Sequence, residues 1–342
     1  MFLDIFWLPK QNKILDEVVD DVKTRQTYIS PTWLSVRELW FGWKRLQMPI
    51  RRLAQQNSVL MEINAGEMLN NAFSGLDRPD DRELFIEGHL ENGHDKYKYE
   101  RVDLTQLCPA SATKHPAEGC YAWIPLGTLE AVKRHVDISV LPSVKNVELY
   151  FFVAPGAKSK IKLYLHSSDS RCVFMSSAQI SLTVKMAGGK NFLCVGEDCS
   201  IAGAVLAMID TRIIIGADGM WSDGIQVQGT DSHGIVDLDT MSINNRGATH
   251  VTFKRHAWVG RKVTVTKNVT IGEGAVIGTG AIVTRSVAAA CVAAGVPAKV
   301  IRRRISWSRR LTTITAREQS ELLSLRSRLD GDNTCSAEAR RS

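Results

Sequence analysis

From Phe253 onward the chain divides into consecutive sixes: FKRHAW, VGRKVT, VTKNVT, IGEGAV, IGTGAI and VTRSVA. Their first positions (Phe253, Val259, Val265, Ile271, Ile277, Val283) are all apolar, and their fifth positions (Ala257, Val263, Val269, Ala275, Ala281, Val287) are all small or β-branched. Glycine fills the second position in three of the six. A period of six matches neither the 3.6 of a helix nor the 2 of a half-buried strand. It fits short strands joined by tight corners, with three sides closing one coil. First positions then point inward and stack on the same position one coil away, as Phe253 would on Ile271. The fifth position lies beside a corner and must be small. Such a β-solenoid is held together by contacts between adjacent coils.

The pattern extends upstream less regularly. SRCVFMSSAQI, KNFLCVGEDCSI and TRIIIGADGMW read as three versions of one rung, with Val173, Val195 and Ile215 at the first position and corner insertions such as MAGGKN between them. NVELYFFVAPGAKSKIKLYL fits an edge coil. The expected organisation is therefore mainly β: an N-terminal α+β extension over 1–140, a solenoid over 141–302, and a C-terminal region over 303–342. In that last region AREQSELLSLRSRL reads as a short amphipathic helix and DGDNTCSAEARRS as a disordered tail. After Val227 the hexads stop, and DSHGIVDLDTMSINNRGATH intervenes before Phe253. A long excursion from a strict solenoid is where a binding loop is expected. His233 lies at its start.

Composition narrows the setting. No run of about eighteen apolar residues occurs, so no transmembrane helix is expected, and MFLDIFWLPKQNKILDE lacks the parts of a signal peptide. The 7 cysteines are scattered without C-x-x-C spacing and read as free thiols. A cytoplasmic protein is expected. The net charge is +7, with Lys299, Arg302, Arg303, Arg304, Arg309 and Arg310 forming a basic cluster that contains no acid. Such a cluster needs an anionic partner or a solvated face. Nucleic-acid binding would interleave aromatics along a known motif, and here Trp307 stands alone, so nucleic acid is not expected.

Together, IGADGMWSDGIQVQGTDSHGI, HAWVGRKVTVTKNVTIGEGAVIGTGAIVT and AAGVPAKVIR followed by Trp307 resemble the hexapeptide-repeat acyltransferases, left-handed β-helix enzymes that use acetyl-CoA. The likeness is to the branch that O-acetylates sugars of bacterial capsules and other surface polysaccharides. It is specific over residues 195–310, looser over 145–194 and absent from 1–140. The resemblance implies a homotrimer with each active site in a groove between two solenoids. It implies His233 as catalytic base and Trp258 lining the acetyl-transfer site. It also places Gly278, Thr284, Arg285, Lys299 and Arg302 against coenzyme A. The chain departs from the family at Phe253, Lys254 and Arg255, where Ile-Gly-Asp is usual, and at Trp221, an inward slot normally aliphatic or Phe.

The residues themselves suit that chemistry. A sugar hydroxyl is a poor nucleophile near neutral pH, and a positioned imidazole that takes its proton contributes about 100- to 10,000-fold. The thioester needs no metal, and backbone N–H groups at a corner can serve the developing oxyanion. Asp231 and His233 are two apart, so in an extended chain they face one side and the carboxylate can hold the imidazole tautomer. Asp237 is the alternative orienter. Trp258 at a sixth position faces outward, whereas Trp221 faces the core. Lys299 and Arg302 suit the coenzyme phosphates, with Arg309 and Arg310 expected to be solvated. Ser232 and Cys291 lack a suitably placed base, so direct transfer is favoured over an acetyl-enzyme.

Two other classes remain open. One is a zinc hydratase of the carbonic anhydrase type, requiring His233, His250 and His256 to converge; the other is a non-catalytic glycan-binding or assembly solenoid. N-acetylation of an amino sugar is a further alternative. Val36, Leu39, Trp40, Trp43 and Leu46 recur at helical spacing among basic residues, which reads as a core helix or as a membrane-surface helix for peripheral association.

Overall fold

The structure, a computed structural model, describes residues 62–74, 97–108, 118–175 and 178–338, with side chains described as far as Gly331. All of these fall in the compact unit Leu60–Ser342. The helical pattern around Trp40 lies outside the described residues.

The chain winds as a three-faced parallel β-solenoid. Its first face stacks Tyr121–Pro125, Val147–Phe151, Ser170–Phe174, Phe192–Val195, Thr211–Ile215, Thr249–Phe253 and Val269–Ile271 in parallel. The second face carries Met220–Trp221, Trp258–Val259, Val276–Ile277 and Cys291–Ala294. The third runs from Val136–Val140 through Lys160–Leu165, Ile180–Ala187, Ser200–Ile209, Ile225–Gln228 and Thr264–Thr266 to Ile282–Val283.

Every hexad position falls where the repeat puts it. All six first positions and all six fifth positions are buried. On the first face one column runs Phe151, Phe174, Val195, Ile215, Phe253, Ile271. Val227, Val265 and Val283 form the matching column on the third. Burying a Val, Ile or Phe stabilises by about 1.5–3 kcal/mol, and apolar residues fill equivalent slots from coil to coil. Phe151 and Phe174 stack at 5.0 Å between centroids. Trp221 is in the core, its ring 4.3 Å from that of Phe253.

Upstream the register differs from expectation by one residue. Phe174, not Val173, aligns with Val195 and Ile215. Val173 faces outward, but it is buried there beneath helix α1 (Ala65–Ala72) with Met68, Leu69 and Phe192. An outer apolar layer makes both faces of that strand hydrophobic, which erases the alternation that would have fixed the register. The parallel ladder also begins earlier than residue 141, at Tyr121–Pro125, with α2 (Leu129–His135) carrying the chain to the third face. This coil lacks the hexad glycines, so its sequence does not announce it. The ladder's two ends are closed by antiparallel strands, Lys98–Asp103 at one and Lys299–Arg303 at the other.

Each corner needs a residue in the left-handed region. Between the first and second faces that residue is Asp198, Asp218, His256, Gly274 and Ala290 in successive coils. Gly274 is glycine for a second reason: a Cβ there would lie 2.7 Å from Leu325 Cδ2 and 2.8 Å from Ser306 Oγ. Helix α3 (Ala316–Glu338) docks across this corner, with Leu325 buried and with ion pairs Arg255–Glu321, Arg328–Glu273 and Arg304–Asp330. The helix runs to Glu338, through most of the segment expected as a disordered tail. Pairing of Arg328 and Asp330 with the solenoid anchors a stretch whose own polarity gave no packing signal.

Thr315 and Glu318 start α3 as a reciprocal capping box. The Glu318 carboxylate accepts from the Thr315 backbone N at 2.9 Å, the Arg309 backbone N at 3.0 Å, the Thr315 hydroxyl at 2.8 Å and the Ser308 hydroxyl at 3.1 Å. Those bonds, the Thr315 and Arg309 N–H groups foremost, hold its carboxyl at about 2, well below the usual 4.5. A depressed folded value means the stabilisation is complete above pH 4.5 and is lost as pH falls toward 2. Thermal melts across that window should show a steeper loss for wild type than for Glu318→Gln. The variant should be less stable than wild type by about 1 kcal/mol at neutral pH.

Candidate functional site

The excursion carrying His233 leaves the solenoid at the corner between the third and first faces, after Ile225–Gln228 and before Thr249–Phe253. Its stem is pinned: the Gly229 carbonyl accepts from the hydroxyls of Thr211 and Thr249, and the Gly229 N–H donates to Ala207 at 3.0 Å. Beyond the stem, Val236–Asp237 pairs antiparallel with Ser242–Ile243 to form a small hairpin. Its apolar side chains stand in solvent, with Leu238 81% and Met241 75% exposed. His233, Asp231, Asn245, Arg246, Thr249 and Lys267 line a cleft of about 330 Å³ at the corner.

Asn245 sets the loop's shape. Its amide donates to the His233 carbonyl at 2.8 Å and to the Asp231 carboxylate at 2.7 Å, and its side-chain oxygen accepts from the Ile235 N–H at 2.7 Å. Asp231 in turn pairs with Lys267, which sits one coil down on the same corner. The His233 ring is exposed, and among the described residues nothing hydrogen-bonds it.

The expected Asp231–His233 pair is not made. Ser232 between them has φ +62°, so the segment is not extended and the two side chains do not share a side. The Asp231 carboxylate is held below its usual range by the Asn245 hydrogen bond and then by Lys267. Asp237 does not orient the ring either; it accepts from the backbone N–H groups of Asp239 at 3.0 Å and Thr240 at 2.9 Å, closing its own turn. Asn245 and Lys267 were missed by sequence reasoning. Lys267 carried one usable signal, its place in a corner of the hexad array beneath the excursion.

The other candidates fall in two groups. Thr284 and Arg285 are exposed on the His233 corner, one coil beyond Lys267. Trp258 stands outward on the second face, 38% exposed. Gly278 follows that face, where a Cβ would come within 2.9 Å of the Ala294 Cβ, so glycine there permits close coil packing. Lys299 and Arg302 are exposed on the terminal strand and, among the described residues, have no ion-pair partner. The turn before that strand bonds to Ile282, through Ile282 N to Gly295 O at 3.1 Å and Ala298 N to Ile282 O at 2.8 Å. The terminal hairpin thus runs beside the strand that leads to Thr284. Trp258 and the His233 corner belong to different faces of one chain.

The basic cluster is divided in use. Arg304 pairs with Asp330, and Arg309 is not solvated as expected. Its guanidinium grips Asp218 Oδ1 at 2.7 and 2.9 Å and reaches Ser200 Oγ at 3.1 Å and the Asp198 carbonyl at 2.8 Å. Burial pushes the Asp218 carboxyl up, but hydrogen bonds from His256 and Arg309 outweigh it and hold the group below its usual value. The partner of Arg309 is remote in sequence, so no local pattern reveals it. His256 is buried, with Nδ1 2.5 Å from Asp218 Oδ2 and Nε2 3.0 Å from the Trp307 carbonyl. Both ring nitrogens are engaged, which removes His256 from the three-histidine set of a zinc hydratase. Among the described residues no group of three or more His, Cys, Asp and Glu is placed to hold a metal. Cys291 is buried.

No family model matches the chain. A stretch of 116 residues is 40% identical to the polysialic acid O-acetyltransferase of Escherichia coli O1:K1 (APEC), covering 34% of this chain. The match spans only 38% of that relative's own length. Among solved structures, the polySia-specific acetyltransferase NeuO aligns at 25% identity with a TM-score of 0.42, over 57% of this chain and 90% of that one. The polysialic acid O-acetyltransferase OatWY aligns at 22% identity with a TM-score of 0.34, over 56% and 95%. Over the matched stretch, this hexapeptide-repeat β-helix is related to the polysialic acid O-acetyltransferases.

The clamp on the loop can be tested alone. Asn245→Ala removes three hydrogen bonds, each worth about 0.5–1.5 kcal/mol. Hydrogen exchange at Ile235 should accelerate by about tenfold or more, while the global melting temperature changes little.

Proposed function

We propose that this chain is an acetyltransferase that moves the acetyl group of acetyl-CoA to a hydroxyl of a sugar in a capsular or other surface polysaccharide, with His233 as general base. The observation that carries the reading is the placement of His233. An exposed imidazole with unengaged ring nitrogens is fixed by its own backbone at the mouth of a cleft, on a corner of a rigid solenoid. The partial relationship to polysialic acid O-acetyltransferase supports the acceptor class.

In this reading a ring nitrogen of His233 takes the proton of the sugar hydroxyl as its oxygen attacks the thioester carbonyl. The tetrahedral intermediate collapses with loss of the coenzyme A thiolate, and the proton passes from the imidazolium to the sulfur. Asp231 contributes by fixing the loop through Asn245 and Lys267, not by touching the ring. Thr284 and Arg285 extend the same corner toward the coenzyme, and Lys299 and Arg302 are the cations left free for its phosphates. Trp258 faces outward on a different face, so a complete site draws it from a neighbouring copy. A homotrimer, in which each corner meets the next copy's second face, fits that division.

His233→Ala should lower kcat by about 100-fold or more while melting temperature and coenzyme A affinity stay near wild type. Retention of more than about a tenth of wild-type kcat removes His233 from the base role. For the phosphates, Lys299→Ala and Arg302→Ala each delete a charge-assisted hydrogen bond of about 1.5–3 kcal/mol. The KM for acetyl-CoA should rise by roughly tenfold or more with kcat little changed. Dephospho-coenzyme A, lacking the 3′-phosphate, should be discriminated against less by whichever variant has lost that contact. An unchanged KM in both variants assigns the basic pair to another partner.

A further inference from the structure

Two residues before Trp258, His256 occupies a corner slot at φ +56°, in line with Asp218 one coil above at the same φ. A bulky ring is an unusual occupant of a left-handed slot, and strain of this kind persists where surrounding contacts over-determine it. Here the contacts are explicit. A carbonyl oxygen only accepts, so His256 Nε2 carries a proton toward the Trp307 carbonyl at 3.0 Å. The Asp218 carboxylate, held ionised by Arg309, accepts from Nδ1 at 2.5 Å. With both nitrogens engaged, the ring ties the corner to the chain after the last strand.

Trp307 completes the tie. Its indole lies flat on the His256 ring, with centroids 4.1 Å apart and planes at 4°, and its Nε1 donates to the His256 carbonyl at 2.8 Å. Arg309 sits over the same indole at 5.7 Å. Trp307 also meets Trp258, with ring centroids 6.2 Å apart at 54°. Among the described residues no other ring contacts Trp258, which is 38% exposed between Met220 and Val276 of the adjacent coils.

We propose that His256 and Trp307 position Trp258 for acetyl transfer, making the segment Ser306–Arg309 a supporting wall of the active site. This rests on the reading above, in which Trp258 lines that site. Docking of α3 does not itself require the brace. The helix has its own anchors in Leu325, Arg255–Glu321, Arg328–Glu273 and Arg304–Asp330. Trp307, stacked on His256, reaches what those anchors do not, the indole of Trp258. Misplacement of a positioning group by about 1 Å costs on the order of a hundredfold in rate, even when binding is intact.

The test is steady-state kinetics on the full-length chain, with melting temperature and coenzyme A binding measured on every preparation. His256→Gln and Trp307→Ala should lower kcat by roughly tenfold to a hundredfold, with KM for acetyl-CoA within about twofold of wild type. Trp307→Phe, which keeps a stacking ring, should recover most of that loss. Glu321→Gln, which loosens α3 without touching the brace, should leave kcat unchanged. In a Trp258→Ala background, Trp307→Ala should add little further loss, because its effect passes through Trp258. The proposal is overturned if His256→Gln and Trp307→Phe both retain kcat while Trp307→Ala does too. It is equally overturned if the kcat loss only tracks the loss of folded protein, or is undiminished without Trp258. Wild type that neither binds nor uses acetyl-CoA would instead overturn the acetyltransferase reading, a separate result, and the brace would fall with it.

Discussion

Inward stacking of one apolar residue on its equivalent in the next coil is the constraint from which everything else in this molecule follows. It sets the spacing of coils and forces a turn at each corner. Each turn then demands a left-handed residue, supplied mostly by Asp, Asn or Gly and at single places by His256, Lys262 and Ala290. Because columns repeat, a side chain at a corner has a fixed neighbour above and below. That is how Lys267 comes to lie under Asp231, and how Asp218 comes to lie over His256. The candidate site and the His256 tie are corner features, and their partners are set by coil register, not by proximity in sequence.

This explains what could be read in advance. The hexads from Phe253 to Val287 disclosed the fold and the core, since period and burial coincide there. His233 stood out because it interrupts that period. Farther upstream the outer layer contributed by α1 hid the register, so that Phe174 rather than Val173 holds the inward slot. Asp231 was misplaced as an orienter because one backbone angle, at Ser232, rotates it away from the ring. No residue type announces a left-handed serine. Arg309 was taken as a solvated cation because its acceptor is brought to it only by winding the solenoid.

The division of the basic cluster follows from the same geometry. Arg304 and Arg309 lie where the chain turns back over the corner between the first and second faces, and both are neutralised by carboxylates there. Lys299 and Arg302 lie earlier, on the antiparallel strand that seals the last coil, where the described residues offer them no acid. A sealing strand protects an otherwise open sheet edge, and charge on it serves that end as well as the proposed phosphate contact. What favours a ligand is position. The hairpin is tied to Ile282, two residues before Thr284, and so borders the corner on which His233 stands.

In the proposed reading His233 is an exposed base on a loop, and such a base is a weak catalytic device unless the loop is as rigid as the scaffold beneath it. The present loop meets that condition chiefly with polar contacts, since most of its apolar side chains are exposed, with Ile243 packing back against Gly234. Asn245 ties three points of the excursion together, Lys267 ties it to the next coil, and two threonine hydroxyls hold its stem. Such bonds contribute little each, about 1 kcal/mol net, but together they leave few alternatives for the backbone at His233. The imidazole itself makes no hydrogen bond among the described residues. The opposite arrangement holds at His256, whose ring is fully engaged and whose neighbour Trp258 is left open. One corner thus fixes the backbone and leaves the ring unbonded, and another fixes the ring and is followed two residues on by the exposed Trp258. Both are ways for a solenoid with an apolar interior to hold polar and aromatic groups on its outside without disturbing the stack that holds it together.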